Sequence, residues 1–437
     1  MAAVYPIRLD ADSQIEPDPE TEAIVEKYLK DIHQGNDMPQ ALISELYFHT
    51  AGLLLGGYRQ GYEKAFFSTD WASADSQLIA RVQANIFAFS GAKTYAEMKE
   101  LRDLVYKDGK LTPWADFRRA ARQINAKYNR TYLETERQAV IAAGTQGSRW
   151  VEIESTRGTH PYLEYVTARD SHVRPEHAAL DGIILPEEDP FWQSYYPPNG
   201  WNCRCSTRRL TQREAEHRTR QYENRTGTPM PSSDTAQKRG GQATDKIWRH
   251  NVGTSEVIDT SHPYFRASKA AKELQLGAVR NYGMRPVASI YDRPSRLATP
   301  GKGLATKEEY AAFWEQMERS HAREGFEGFV LTDMQNGIMA HFDHQLRDKL
   351  ESRGRFGFFD EAAKVFTQPD EVCGIVREGK KAGIKREYFN AYIRYYQDTP
   401  MLLIIDGAGR VDSFYKWERG LENMEQWRMG VLKYKKR

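Results

Sequence analysis

The sequence predicts an α+β protein with a mainly helical N-terminal domain, a small loop-rich β-containing Cys/His module and a C-terminal α+β domain with an antiparallel sheet. Apolar residues recur at helical spacing through the first third of the chain. Residues 168–207 then hold two His, two Cys, two Trp and five Pro, which is more than a solvated loop needs. Beyond residue 286, consecutive strand patterns indicate an antiparallel sheet with helices on one side.

Length, charge and cysteine content limit the class of protein. A chain of 437 residues usually forms several domains, because a single core stops growing beyond roughly 250–300 residues. The chain has 62 Lys+Arg and 60 Asp+Glu. Because these charges nearly cancel, the net charge does not favour nucleic acid or an anionic membrane as a binding partner. Three Cys, two of them one residue apart, argue against a disulfide framework. We expect a soluble protein without a signal peptide or a membrane span.

Composition shifts divide the chain into five segments. The first is acidic and punctuated by proline, and the fourth is polar and rich in Gly, Ser and Pro. In order, the segments are an acidic arm (1–38), a helical domain (39–148), the Cys/His module (149–226), a linker and connecting segment (227–286) and an α+β domain (287–437).

Helical periodicity dominates before residue 144. We predict helices over 20–33, 39–67, 76–90, 94–106, 112–127 and 130–143, with Thr112 as an N-cap before Pro113 and Gly144 at the end of the last helix. The second helix carries the small residues Gly52, Gly56, Gly57 and Gly61. They predict close packing against another helix, since no strand precedes them and no phosphate-binding spacing is present.

Later segments mix strand and helix patterns. Residues 149–166 predict a small hairpin or sheet, residues after Thr211 a short exposed helix, and residues 227–245 a linker or loop. Further helices are predicted over 268–276, 307–323, 345–352 and 386–396, and strands over 328–332, 337–342, 401–406, 411–417 and 430–434, with a turn at Gly407–Gly409.

Two cysteines and two histidines are candidate metal ligands. If their segment is extended, Cys203 and Cys205 lie on one face of it. His172 and His177 could join them only through the fold, and two His with two Cys would suit a structural zinc ion. Because the Cys spacing is not that of a zinc finger, buried thiols and hydrogen-bonded imidazoles are the alternative interpretation.

Other side chains of this stretch predict structure and not acid–base chemistry. Asp181 precedes Gly182 and Asp189 precedes Pro190, so these carboxylates, like Asp170, are expected to cap backbone N–H groups. The aromatic residues around Pro197–Pro198 are expected to pack and fix an irregular segment.

The blocks RDSHVRPEHAALDG, EEDPFW and PPNGWNCRCSTRRLT resemble the signature of the phage Mu F-like minor head protein family. This is a head-morphogenesis family of tailed double-stranded DNA phages. YNRTYLETERQAVIAAG also resembles it, and the likeness covers about residues 40–215. The family pattern emphasises Arg174, His177, Asp181, Gly182, Asp189, Pro190, Trp192, Pro198, Gly200, Trp201, Cys203, Arg204 and Cys205, whereas His172 stands where Asp or Glu often appears.

The C-terminal segment has its own candidate chemistry. His341 and His344 flank the end of a predicted strand, and cations, Ser413 and Tyr415 follow downstream. Such a set could cleave RNA without metal, since an imidazole moves protons and cations stabilise the phosphate, but it is also common on sheet surfaces.

Residues 287–437 also resemble the phage barnase-like/RelE-like nuclease domains found fused to Mu F-like head proteins. The likeness rests on AHFDHQLRDKL, FFDEAAKVFTQPDEV and YIRYYQDTPMLLIIDGAGRVDSFY. It implies catalytic roles for His341 or His344, Ser413 and Tyr415, with Ser413 in place of the usual Thr.

These resemblances imply a minor head protein that acts in head morphogenesis, in the virion and in the host cytoplasm during assembly. Its expected partners are portal, major capsid or scaffold proteins, with no membrane and no cofactor other than the zinc. The alternative is a phage-encoded, metal-independent ribonuclease, or toxin, that binds RNA and is delivered with the virion, with the head-like region serving as its delivery module. A third hypothesis is contact with packaged DNA through the Arg-rich residues 204–225.

The nuclease hypothesis makes a direct prediction. A fragment of residues 287–437 should cleave RNA in the presence of a chelator, and replacing both His341 and His344 with Ala should abolish cleavage. RNA that is equally stable with the unmodified and the doubly substituted fragment, in a gel assay, would exclude the activity.

Overall fold

The structure is a computed structural model that describes residues 19–34, 40–63, 74–267, 285–333, 338–378, 386–406, 409–428 and 431–436. The described residues fall into two compact units. The first lies within 1–38, 45–64 and 89–270, and the second within 39–44, 65–88 and 271–437. In the described ranges, no helix combines the length and the apolar character that crossing a bilayer requires.

Long helices open the first unit, and smaller elements follow. The long helices are α1 (Pro19–His33), α2 (Gln40–Tyr62), α3 (Ala74–Asp103), α4 (Trp114–Asn125) and α5 (Leu133–Ser155); α2 and α3 begin in residues that belong to the second unit. A π-helical stretch, Ala126–Tyr132, joins α4 to α5 without a break. A two-residue hairpin, β1 (Tyr106–Lys107) with β2 (Lys110–Leu111), precedes α4. The predicted helices are confirmed in outline, although 76–90 and 94–106 form one helix.

Three local predictions in this region are wrong. Gly144 does not end a helix, because α5 continues for eleven further residues to Ser155. Residues 149–155, predicted as half of a hairpin, are therefore helical, and the buried side chains of Trp150 and Ile153 follow helical spacing. Thr112 does not cap α4: its hydroxyl donates to the carbonyl of Leu104 at 2.7 Å, and Pro113 precedes the helix.

The predicted close packing of α2 is confirmed where Gly61 of α2 meets Gly144 of α5. A Cβ on Gly61 would lie 1.9 Å from the carbonyl oxygen of Ile141 in α5, and one on Gly144 would lie 2.4 Å from the carbonyl oxygen of Tyr58. The hydroxyl of Thr145 donates to the carbonyl of Gly61 at 3.0 Å. The two backbones therefore meet directly, which only residues without a side chain allow.

The part of the predicted acidic arm that the structure describes is a docked helix. Val25, Leu29 and Ile32 on α1 are each at most 2% exposed. Glu26 pairs with Arg122 of α4 at 2.6 Å. Residues 1–18 of the arm lie outside the described residues.

A buried group of charged and polar side chains joins α3 to the π-helical stretch and to α5. The amine of Lys93 donates to the Tyr128 carbonyl at 2.8 Å and to Glu136 at 2.5 Å. The Glu97 carboxyl accepts from Asn129 at 2.7 Å. Burial raises the pKa of Glu97 to about 8, although Lys93 and Asn129 oppose the shift. Glu97 is therefore mainly protonated in the folded chain at neutral pH.

The Cys/His module follows α5. Strand β3 (Tyr162–Val166) lies between β4 (Ile184–Pro186) and β5 (Ser206–Leu210), and both pairings are antiparallel. The helices in this part of the chain are α6 (Pro175–Ala178), α7 (Pro190–Tyr195), α8 (Gln212–Thr226), α9 (Ser233–Ala243) and α10 (Pro263–Ala267). The predicted helix after Thr211 is confirmed, with a capping box formed by Thr211 and Glu214. The predicted linker 227–245 is wrong in part, because it contains α9, which packs on α7 through Ala236 and Gly240.

The second unit has a five-stranded antiparallel sheet in the order β11-β10-β9-β8-β12 and a separate hairpin of β6 with β7. The strands are β6 (Phe329–Asp333), β7 (Ile338–Phe342), β8 (Glu371–Glu378), β9 (Arg386–Tyr395), β10 (Pro400–Asp406), β11 (Val411–Lys416) and β12 (Val431–Lys435). The helices are α11 (Val287–Ile290), α12 (Lys307–His321), α13 (His344–Ser352) and α14 (Ala362–Thr367). The predicted α+β class with an antiparallel sheet is confirmed.

One predicted helix of this unit is a strand, and one strand was not predicted. Residues 386–396 contribute β9, and β8 was missed. Apolar clusters cover both faces of the sheet: Tyr392 lies in one and Ile393 in the other. A strand that is covered on both sides loses the alternation of polar and apolar residues that identifies strands in sequences. The predicted helix 268–276 lies outside the described residues, and so does Gly407 of the predicted turn.

The helix crossing predicts a position-specific effect of alanine. Gly61→Ala should reduce the free energy of unfolding by about 1–3 kcal/mol, because the methyl group meets the backbone of α5. Gly56→Ala, on the same helix but with open space around the Cβ position, should stabilise by roughly 0.5–1 kcal/mol. Urea unfolding measures both, and equal effects of the two substitutions would contradict the crossing.

Glu97 predicts a dependence of stability on pH. Its carboxyl binds a proton up to about pH 8 in the folded chain but only up to its ordinary pKa of 4.5 in the unfolded chain. Folding therefore takes up a proton between these values, so this group's contribution to stability is present at low pH and is lost as the pH rises towards 8. In Glu97→Gln, the slope of the unfolding free energy against pH should change by the equivalent of about one bound proton between these pH values. Unfolding titrations over this pH range measure the slope. Glu216→Gln, an exposed substitution, should leave the slope unchanged; an unchanged slope in Glu97→Gln would contradict the assignment.

Candidate metal centre

Three of the four predicted metal ligands come together in the first unit. His177 lies on α6, and Cys203 and Cys205 lie just before β5; all three are buried. The Nδ1 atom of His177 is 3.8 Å from the Sγ of each cysteine. The one-residue spacing of the cysteines places both thiols on the side facing α6, as predicted for an extended segment.

The distances between the side chains of this group fit a tetrahedrally coordinated metal ion. With Zn–S bonds of about 2.3 Å and Zn–N bonds of about 2.0–2.1 Å, a tetrahedral centre separates its ligand atoms by roughly 3.6–3.8 Å. The potential ligand atoms of His177, Cys203 and Cys205 all lie within 4.8 Å of one another. The three residues could therefore bind a metal ion.

The protonation of the two thiols is strongly unequal. Hydrogen bonds from Cys205 and then His177 hold the pKa of Cys203 well below its usual value, although burial opposes this shift. The pKa of Cys205 is raised by its hydrogen bond to Cys203 and by burial. The group thus favours one thiolate, and a cation bound there would displace the second proton.

Polar side chains surround the group and fix it. The amide of Asn199 donates to the Tyr165 hydroxyl at 2.8 Å, and Gln146 of α5 lies 3.5 Å from the carbonyl oxygen of Cys205. Asn199 Oδ1 and Gln146 Oε1 are buried and have no hydrogen-bond partner among the described residues. Buried oxygens of this kind are usually satisfied by water or an ion.

His172 does not join the group. Its imidazole is 76% exposed and lies 3.9 Å from the carboxylate of Asp170. Asp170 in turn holds Arg204 at 2.7 Å, and this contact lowers the pKa of Asp170 to about 2. His172 is thus directed towards the surface, and the structure supplies three protein ligands where the sequence predicted four.

The remaining motif residues hold the loops in place. Arg174 donates to the carbonyl of Trp201 at 2.7 Å, and Trp192 donates to the carbonyl of Pro186 at 3.0 Å. Asp189 caps α7 by accepting from the N–H of Phe191. These contacts agree with the structural interpretation of the motif.

Asp181 also accepts hydrogen bonds from the backbone, as the sequence predicted. Its carboxylate accepts hydrogen bonds from the backbone N–H and the hydroxyl of Thr167, at 2.9 and 3.0 Å. It also pairs with Arg169 at 3.0 Å. Gly182 follows with a φ of +81°, a conformation that glycine adopts readily.

In the second unit, the two candidate catalytic histidines lie near Glu327. His341 Nε2 is 2.7 Å from the carbonyl oxygen of Glu327. His344 Nδ1 is 3.6 Å from the carboxylate of Glu327, and its Nε2 is 2.5 Å from Glu318. Both imidazoles are engaged with acceptors of their own unit.

Ser413 and Tyr415 have other partners. Ser413 is buried, accepts from Lys349 at 3.0 Å and donates to Asp412 at 2.8 Å. The ring of Tyr415 lies 5.2 Å from the guanidinium of Arg355. The described contacts therefore do not join these two residues to the histidines, and ribonuclease activity stays a prediction that rests on the resemblance.

Sequence reasoning missed the polar residues around the metal ligands. Asn199 lies inside the PPNG block, for which only aromatic packing around an irregular segment was predicted. Tyr165 lies on β3, whose strand pattern was recognised. Gln146 carries no signal in the sequence, because its position depends on α5 continuing past Gly144.

Comparison with known proteins places the centre in a matched region. Residues 89–208 match the family described as "Phage Mu protein F like protein". "Putative capsid assembly protein F" of Escherichia phage Mu is 46% identical over 63 residues, which are 14% of this chain and 14% of that protein. "Mu-like prophage FluMu F protein" of Haemophilus influenzae is 28% identical over 159 residues, 36% of this chain and 34% of that protein.

The matches are regional. The aligned parts span about a seventh and about a third of the length of these two relatives. No solved structure matches significantly. Residues 89–208, which contain His177, Cys203 and Cys205, are similar to the Phage Mu protein F like family.

Proposed function

We propose that the chain is a minor head protein of a tailed phage and acts in head morphogenesis. The observation that carries the proposal is the 46% identity to a protein named as a putative capsid assembly protein. The match to residues 89–208 supports it, because the matched residues include much of α3, all of α4 and α5 and the metal centre. Its expected partners are portal, major capsid or scaffold proteins, in the virion and in the host cytoplasm during assembly.

The structure suits a binding protein better than an enzyme in the matched region. The three metal ligands are buried, and the motif residues around them make hydrogen bonds within the protein. A catalytic metal needs an open position that substrate can reach. The matched region therefore supports assembly and not catalysis.

Sedimentation tests the assembly role. The full chain, produced together with the portal, scaffold and major capsid proteins of the same phage, should sediment with procapsids in a density gradient. The same chain without the other head proteins should stay near the top. A chain that stays near the top in both samples would refute the proposed role.

The ion that we propose for the centre is Zn²⁺, in a structural role. Two thiolates and an imidazole are soft and borderline ligands that select zinc. The ion would tie α6 to the segment before β5 and so hold these two parts of the loop-rich module together. Because the three ligands are buried, its fourth position would be taken by an enclosed water molecule that a substrate does not reach.

Zinc analysis of the purified chain tests the centre. About one zinc per chain is expected, and Cys203→Ser or Cys205→Ser should remove it and lower the melting temperature by several degrees. A strong chelator should reproduce the shift in the unmodified chain. His172→Ala is the matched control and should keep its zinc. Metal-free protein from a chelator-free preparation, or loss of zinc in His172→Ala, would contradict this ligand set.

A further inference from the structure

A second site lies on the edge of the same module. A cavity of about 320 Å³ opens between the last two turns of α5 and β5, and it is separate from the metal ligands. Its lining consists of Arg149, Glu152, Ile153, His160, Thr207, Arg208 and Arg209. The volume is enough for a phosphate group with a few water molecules.

The lining carries an excess of positive charge. The lining contains three arginines and one histidine but a single carboxylate, that of Glu152. Arg209 lies 3.4 Å from that carboxylate, which neutralises one of the guanidiniums. Arg149 is exposed, and no carboxylate among the described residues pairs with it.

Arg208, on the other face of β5, adds to the positive electrostatic potential near the cavity. Its guanidinium lies 3.2 Å from the carboxylate of Glu164 on β3. The same carboxylate lies 3.3 Å from Arg218 and 3.9 Å from Arg169, so it serves three guanidiniums. Near His160, the Glu214 carboxylate is occupied by the N–H and the hydroxyl of Thr211, at 2.9 and 2.8 Å.

The walls of the cavity are held in place before any ligand arrives. Arg209 donates to the hydroxyl of Thr156 at 3.1 Å and to the carbonyl of Glu152 at 3.3 Å, so it caps the end of α5. Tyr196, next to Thr207, donates to the carbonyl of Gln146 at 3.0 Å. Arg209 is thus fixed in advance, so an anion bound here would have to immobilise mainly the Arg149 side chain.

We propose that this cavity binds a phosphate group, with Arg149 as the principal ligand and Arg209 and His160 beside it. Guanidinium donors match phosphate oxygens in geometry and charge. The group could belong to the backbone of double-stranded DNA or to a free phosphate compound, and the two sources share this chemistry. The inference does not depend on the proposed role in head assembly.

Binding by the full chain tests the site with two probes. One is inorganic phosphate, measured by calorimetry, and the other is a fluorescent DNA duplex, measured by anisotropy over a range of salt concentrations. Arg149→Gln should weaken the binding of phosphate, and of the duplex if it binds, by about tenfold. For a DNA ligand, it should also lower the salt slope by about 1. Arg149→Lys should retain part of the affinity.

The controls separate the cavity from general charge. Arg220→Gln removes the same charge from an exposed position on α8 and should change the affinity for phosphate by less than about twofold. Unfolding curves identify any variant that fails to fold. Binding of phosphate alone assigns a free phosphate compound, and binding of both probes assigns DNA. Equal effects of Arg149→Gln and Arg220→Gln, or no binding of either probe, would overturn the proposal.

Discussion

The contact between the backbones of α2 and α5 sets the geometry of the first unit. At Gly61 and Gly144 the helices approach so closely that neither position has room for a methyl group. Small residues at a crossing let the axes come together, and the larger neighbours then pack around the contact. Tyr58 and Val140, both fully buried, pack beside it. The crossing thereby fixes the position of α5 along its whole length.

Helix α5 extends from this crossing to the candidate metal centre. Beyond the crossing, the side-chain amide of Gln146 donates to the carbonyl of Cys205. The backbone carbonyl of Gln146 accepts from the hydroxyl of Tyr196. One turn later, the Trp150 ring lies 4.8 Å from the Tyr196 ring, edge to face. A helix is a stiff rod, so displacement at one end reaches the other. The thiols are therefore placed by the bundle as well as by their own loops.

Much of the fold and part of the centre could be predicted from the sequence. Helical periodicity identified α1, α2 and α12, because one face of each helix is buried and the other is exposed to solvent. It failed at the end of α5, where Val151 and Ile153 alternate with glutamates as in a strand, and in β9, whose two faces are both covered. The Cys spacing predicted two ligands, whereas His177 could be told from His172 only once the loops had folded.

The unbroken helical run from α4 through the π-helical stretch to Ser155 has a consequence for how the first unit opens. Local openings of a protein usually follow loops, where few contacts have to break together. Here the crossing at Gly144 and the contacts of Gln146 and Trp150 lie within two turns of one helix. Opening the segment around the cysteines would loosen a helix that the bundle also holds, so the bundle and the cysteine segment behave as a single cooperative element.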